Sequence, residues 1–267
     1  MKKFEGCLFV SDMDATLLTS DHQISDKNRR AIEYFISEGG RFTVATGRMV
    51  DAVGAYLGRL PINAPAVLHN GAKLYDFSSN SVIFEKFIEE DRKPAVKRVY
   101  SDMPELGLEI YSDEIIYVYK PCSETKRFLT RSYKVVYNMP DEVWDRPWTK
   151  LLLIGDTKEI LDKYEPIYRR DYDSGLCVRS GPLYLDIVAG GVSKGKGAKR
   201  AAEITGCNKI FAIGDSENDV DMLRCADISF AVENAVPDVK RAAMYGAPHH
   251  NGDAVAYAIE KLDKMFS

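Results

Sequence analysis

Two carboxylates stand two residues apart in Ser11-Asp12-Met13-Asp14-Ala15-Thr16-Leu17, directly after the apolar run Cys7-Leu8-Phe9-Val10. Such a run reads as a strand buried on both faces, and ligands of open parallel sheets bind beyond the carboxyl ends of their strands. There, one carboxylate can attack phosphorus as a nucleophile while its neighbour serves as general acid and then as base. A lone Asp-x-Asp pair is equally a solvated turn, so the reading depends on what else the chain brings to strand ends.

Three further junctions bear on it. Gly214-Asp215-Ser216-Glu217-Asn218-Asp219 follows another apolar run and precedes a helix. Mg²⁺ takes oxygen ligands, keeps several waters and needs only one or two carboxylates; Asp12 and Asp215 can supply these, with the Asp14 backbone carbonyl as a third oxygen. The same residues also suit a helix cap, which is compatible with metal binding. Gly190 to Gly197 comes close to a P-loop, but Gly197 stands where the hydroxyl residue belongs and the glycines do not form GxGxxG. What remains is Lys194 at the mouth of a helix, where a lysine and the helix N-terminus can neutralise phosphate oxygens together. Ala45-Thr46-Gly47-Arg48, at another strand end, offers a hydroxyl and backbone N–H groups to a phosphoryl oxygen. Singly each is a commonplace turn; the four together point to phosphoryl transfer.

Positioning four such loops takes alternating strands and helices. Ala31, Ile32, Phe35 and Ile36 recur at helical spacing over 26–38, with Gly39-Gly40 as a stop; 42–45 is the next strand and 49–60 the next helix, with Val50, Val53 and Leu57 on one face. That rhythm predicts a parallel α/β sheet. After 67–69 and a hairpin around 76–80 the texture changes near Glu85, where tyrosines concentrate. The pattern there reads as a helix over 91–102, two strands, a short helix over 125–133, a strand at 151–154, a helix over 158–170 and a strand at 177–179. From 183 the first rhythm returns, with strands at 185–188 and 210–213 and helices over 196–205, 220–226, 237–244 and 254–266. The expected fold is therefore α/β: a Rossmann-like parallel-sheet core built from 1–84 and 183–267, interrupted by an α+β module over 85–182.

Bulk properties narrow the function classes. The 267 residues are 45% hydrophobic and 28% charged, ordinary for a globular enzyme. A net charge of -4 makes no case for nucleic acid or an anionic membrane as partner. No apolar run approaches the ~18 residues of a membrane span. Lys2 and Lys3 open an apolar stretch that Glu5 interrupts and Asp12 ends, far short of the apolar core expected of a signal peptide. The five cysteines are odd in number and contain no CxxC, so neither a disulfide framework nor a zinc site is indicated. A cytoplasmic location is the expectation by default, and the oligomeric state is not readable.

In chain order the four loops resemble the four motifs of the haloacid dehalogenase superfamily, over essentially the whole sequence, and more narrowly its Cof-type, subclass IIB, sugar-phosphatase-like members. Asp12 to Thr16 match DxDGT, Thr46 lies in ATGR, Lys194 in VSKGKG, and Gly214 to Asp219 match GDxxND; Asn70-Gly71-Ala72 and Asn234-Ala235 fit habits of the subclass. The resemblance implies that Asp12 is nucleophile and Mg²⁺ ligand, that Asp14 is the acid and base and lends the ion its carbonyl, and that Asp215 is a further ligand. It implies phosphate binding by Thr46, Gly47, Lys194 and Asn218, with Asp219, Asn70, Arg48 and Asn234 in support, and makes the insertion a cap that sets specificity. Arg179, Tyr117 and Tyr119 are candidate substrate contacts within it. The function implied is Mg²⁺-dependent hydrolysis of a small phosphorylated metabolite, a sugar or related polyol phosphate, through an aspartyl-phosphate. A phosphomutase would share that intermediate, and a binding or regulatory protein on the same scaffold is the non-enzymatic alternative; dehalogenation has no need of Asp14. Asp12 is expected ionised beside the metal and Asp14 able to hold a proton. One residue departs from the motif: Ala15 replaces its glycine, which at positive φ costs about 1 kcal/mol or more and predicts reduced turnover or a narrowed substrate range.

Overall fold

A computed structural model describes residues 2–130, 133–173, 175 and 177–266. The first apolar run is β1 (Cys7–Ser11), buried at every position. Ser25 caps the following helix by accepting from the Asn28 N–H, and α1 (Asp26–Ser37) turns Ile32 and Phe35 inward. Gly39, at φ +92°, ends it. After β2 (Arg41–Val44) comes α2 (Val50–Gly54), much shorter than the helix expected over 49–60. Beyond Gly54 the hydrogen bonds step back three residues, from Tyr56 N–H to Val53 and from Leu57 N–H to Gly54. Gly54 and Gly58 lower the helix propensity of this run, and the chain tightens into turns. β3 (Ala66–Leu68), β4 (Lys73–Asp76) and β5 (Ser81–Glu85) form a small sheet of their own.

Next come α3 (Lys93–Asp102), β6 (Leu106–Ser112), β7 (Ile115–Lys120), β8 (Val135–Tyr137), β9 (Lys150–Gly155), α4 (Lys158–Asp171), β10 (Cys177–Gly181) and β11 (Tyr184–Val188). In place of the helix expected over 125–133 there are 3₁₀ turns, Ser123–Thr130, and 131–132 fall outside the described residues. The chain closes with α5 (Lys194–Thr205), β12 (Lys209–Gly214), α6 (Val220–Cys225), β13 (Ile228–Val232), α7 (Pro237–Ala242), β14 (Tyr245–Ala247) and α8 (Ala254–Met265).

Two compact units result: residues up to 84 with those from 193 onward, and 85–192. The first holds an all-parallel sheet in the order β14-β13-β12-β1-β2, with Leu8 opposite both Ile210 and Arg41. A parallel bridge between Ala45 and Val67 ties β3 to its edge. Because β1 is central, its carboxyl end lies beside those of β2 and β12, which brings three of the four sequence junctions together. The second unit is a six-stranded sheet, β10-β11-β9-β6-β7-β8, antiparallel except for β7 with β8. Leu108, Ile110, Leu151, Leu153, Leu185 and Ile187 make its core with Val99 of α3 and Leu161 of α4.

The placement of 185–188 in the parallel core is thereby corrected. β11 pairs antiparallel with β9, Leu185 opposite Leu153, so the core unit resumes at 193 rather than 183. A five-residue apolar run suits either sheet; only its hydrogen-bond partner decides. No helix among the described residues is long and apolar enough to cross a membrane.

Candidate active site

Asp12 prolongs β1, its N–H bonded to the Ile213 carbonyl at 3.0 Å, and its side chain is buried. A wide turn follows over Met13–Leu17, closed by the Leu18 N–H on the Met13 carbonyl at 2.8 Å. Within it Asp14 is extended and Ala15 is left-handed, φ +54° and ψ +20°. The methyl at this position therefore does sit where L residues are disfavoured.

Lys194 opens α5, whose Ser193 cap accepts from the Lys196 N–H. Its ammonium is buried and shared between Asp12 Oδ1 at 2.6 Å and Asp219 Oδ1 at 2.7 Å. Asp219 spends its other oxygen on the N–H groups of Asp215 at 3.0 Å and Ser216 at 3.1 Å, which folds the loop after β12. Gly214 has to be glycine for this: a Cβ there would lie 2.6 Å from the Asp219 side chain. Asp215 Oδ1 accepts from the Thr16 hydroxyl at 3.1 Å and Oδ2 from the Ser216 hydroxyl at 2.9 Å. Carboxylate oxygens of Asp12, Asp215 and Asp219 thus lie within 4.8 Å of one another.

The Thr46 loop approaches from β2. Its hydroxyl accepts from the Arg48 N–H at 3.2 Å, which leaves the hydroxyl's own proton to donate. Asn70 is anchored to the same loop through its N–H on the Thr46 carbonyl, and its side chain lies against Gly47. Its Oδ1 accepts from Asn218 Nδ2 at 3.0 Å, a bond between two buried amides that links the loops after β2 and β12 through the turn after β3. Arg48 clamps Asp14 with two bonds, Nε to Oδ2 at 2.8 Å and Nη2 to Oδ1 at 2.6 Å, while its guanidinium lies over Tyr56. Asn234 donates to the Ala15 carbonyl at 2.8 Å.

Charge follows from this packing. Burial, with Asp219 and Asp215 close by, pushes the Asp12 carboxyl well up against the opposing pull of Lys194. Asp215, half-buried and facing Asp219, is pushed up to about 6, chiefly by loss of solvent. Asp12 and Asp219 in turn raise Lys194 against its burial. Asp14 is half exposed; the protein around it still works to raise its carboxyl, but the Arg48 clamp outweighs this and holds it low. The Arg48 guanidinium thus favours the ionised form of Asp14, whereas the expectation of an ionised Asp12 concerns its state beside a metal ion.

Every residue singled out in the core, Asp12, Asp14, Thr46, Gly47, Arg48, Asn70, Lys194, Asn218, Asp215, Asp219 and Asn234, falls in this one set of loops. The candidates in the second unit are otherwise engaged. Arg179 pairs with Asp162 and Glu165 beside α4, Tyr117 is buried with its hydroxyl accepting from Arg146, and Tyr119 packs against Tyr100 and Trp144. Sequence reasoning missed the Arg48 clamp on Asp14, the Thr16 bond to Asp215, and His250, whose Nδ1 meets the Leu18 carbonyl at 2.8 Å. The polar run 249–253, which breaks the helical pattern before α8, was a visible signal for the last.

A family profile of haloacid dehalogenase-like hydrolases matches residues 9–259. The Bacillus subtilis 5-amino-6-(5-phospho-D-ribitylamino)uracil phosphatase YwtE is 25% identical over 285 residues, covering 96% of this chain and 97% of its own. Among solved structures, TM0651 of Thermotoga maritima is 30% identical with a TM-score of 0.77, covering 95% of this chain and 96% of its own. The subclass IIB sugar phosphatase BT4131 shares the fold at a TM-score of 0.81 and 22% identity, over 96% of this chain and 98% of its own. This chain belongs to the haloacid dehalogenase-like hydrolases. Its activity is that of a phosphatase.

Proposed function

We propose that the protein hydrolyses phosphomonoesters of small metabolites, sugar or polyol phosphates above all, with Asp12 as nucleophile and Mg²⁺ as cofactor. The observation that carries this reading is the buried Lys194 ammonium between Asp12 and Asp219, with Asp215 alongside, at the carboxyl ends of adjacent parallel strands. The name of the Bacillus relative, a phosphatase of a phosphorylated ribityl compound, supports the substrate class.

The donor set fits the ion. Three carboxylates crowd one ammonium, and burial together with that crowding pushes Asp12 and Asp215 up, a pressure that a divalent cation would offset. Asp12, Asp215 and the Asp14 carbonyl would hold it, oxygen donors throughout, as Mg²⁺ prefers. When bound, such an ion supplies charge neutralisation to the phosphoryl oxygens.

The chain's own groups do the rest. An Asp12 oxygen attacks phosphorus and the bond to the ester oxygen breaks, the departing oxygen taking a proton from Asp14. Asp14 then takes a proton from water, whose oxygen attacks the phosphorus of the aspartyl-phosphate, releasing inorganic phosphate and restoring Asp12. Lys194, the Thr46 hydroxyl, the Gly47 backbone and Asn218 surround the transferring group, which is catalysis by positioning and charge. For the first step Asp14 has to carry a proton, so the Arg48 clamp must loosen when ester binds. Substrate selection is assigned in this reading to the 85–192 unit.

The test is a screen of sugar and polyol phosphates with and without Mg²⁺, on the wild type and Asp12→Asn. Activity that needs Mg²⁺ and vanishes in the variant is the expected result. Wild-type turnover by Asp12→Asn would overturn the mechanism.

A further inference from the structure

The turn that carries Asp14 is gripped from a distant part of the chain. Asn234 uses both ends of its amide in one link: Nδ2 donates to the Ala15 carbonyl at 2.8 Å, and Oδ1 accepts the His250 N–H at 3.0 Å. His250 is itself fixed against the same turn, its Nδ1 donating to the Leu18 carbonyl at 2.8 Å. Farther along, Asn251 exchanges bonds with the Ser20 N–H and hydroxyl, both at 2.9 Å. The carbonyls of Ala15 and Leu18 are thus each held by a side chain from beyond β13, and the residue at the centre of the grip is the one with left-handed backbone, φ +54°.

We propose that Asn234 is a positioning residue for the phosphatase reaction: by holding the Ala15 carbonyl it keeps residue 15 left-handed and so keeps the adjoining Asp14 carboxyl aligned on the ester oxygen. His250 steadies Asn234 from behind. An alanine released from this bond drifts toward negative φ, because its Cβ disfavours the left-handed region, and Asp14, one residue away, moves with it. The inference rests on the reading of Asp14 as acid and base.

Asn234→Asp isolates the contact. It keeps the size of the side chain and the acceptor for His250, but turns an oxygen toward the Ala15 carbonyl. On an alkyl phosphate, kcat is expected to fall on the order of tenfold while KM stays within about twofold, measured well below the melting temperature of the variant. In an Ala15→Gly background the same substitution should cost less than about threefold, since glycine enters the left-handed region without penalty. Wild-type kcat in Asn234→Asp, or an equal loss in both backgrounds, overturns the proposal. Asn234→Ala, measured in the same way, serves if the aspartate variant does not fold. Asp14→Asn separates the two levels of the argument. If it loses turnover while both Asn234 variants keep theirs, this inference alone falls; if it keeps wild-type turnover, the acid–base reading falls and takes the inference with it.

Discussion

Lys194 is buried together with the two carboxylates it joins, and removing one member of such a group strands the charges of the others. Lys194→Met is therefore expected to abolish turnover and to destabilise the fold by about 3–5 kcal/mol, the usual cost of breaking a buried ion pair from one side. Urea titration of the two proteins checks it, and a loss below about 1 kcal/mol would mean that the carboxylates are already relieved by protonation. At Asp14 the sign runs through Arg48. The clamp holds the carboxyl low, so Arg48→Ala should raise its pKa and carry the alkaline limb of the kcat profile to higher pH, since the proposed first step needs Asp14 protonated. An alkaline limb that stays put or moves down would remove Asp14 as the titrating acid. Ala15→Gly should gain about 1 kcal/mol, a rise of roughly 2–4 °C in melting temperature.

At the scale of elements, the junctions work because particular glycines let loops come close. Gly71, at φ +94°, packs so tightly on the turn before α5 that a Cβ would lie 2.1 Å from the Ser193 carbonyl oxygen. Gly71→Ala is accordingly expected to push the Lys194 helix away from the Thr46 loop and to lower kcat and stability together, which kinetics and melting of one preparation would show. These loops also mark how far the sequence was legible. The strands β1, β2 and β12 and the helices α1 and α5 announce themselves because each buries an apolar run or stripe of their own period, and the polar residues just past them are then fixed in place by the parallel order. Three features stayed hidden for a common reason. The partner of β11, the early end of α2 and the Arg48 bond to Asp14 each depend on a contact with a residue far along the chain or on turn geometry, and spacing carries neither. Arg179 misled in the opposite sense, an arginine on a strand end whose charge is used up by Asp162 and Glu165 of the neighbouring helix.

For the whole molecule, the crowded carboxylates make stability depend on pH in an unusual direction. Asp215 holds its proton to about 6 in the folded protein against an ordinary 3.8, so the folded state binds more protons than the unfolded one between those values. The stability it contributes is fully present below about pH 4 and is lost as pH rises through about 6, a loss of about 3 kcal/mol by neutrality. Asp12, also raised, adds in the same direction. Asp14 is lowered and works oppositely, but its contribution disappears only as pH falls below the ordinary carboxylate range, outside the neutral window. A cation held by Asp12 and Asp215 binds their charged forms, which rising pH favours, and at a hundredfold excess over its Kd it stabilises the folded state by about 2.7 kcal/mol. Mg²⁺ should therefore raise the melting temperature more at ~pH 7 than at ~pH 5, and EDTA should reverse the gain. Melting curves at both pH values, with and without Mg²⁺, decide the matter: an increment that is equal at the two, or larger at the lower pH, would mean that these carboxylates do not hold the ion.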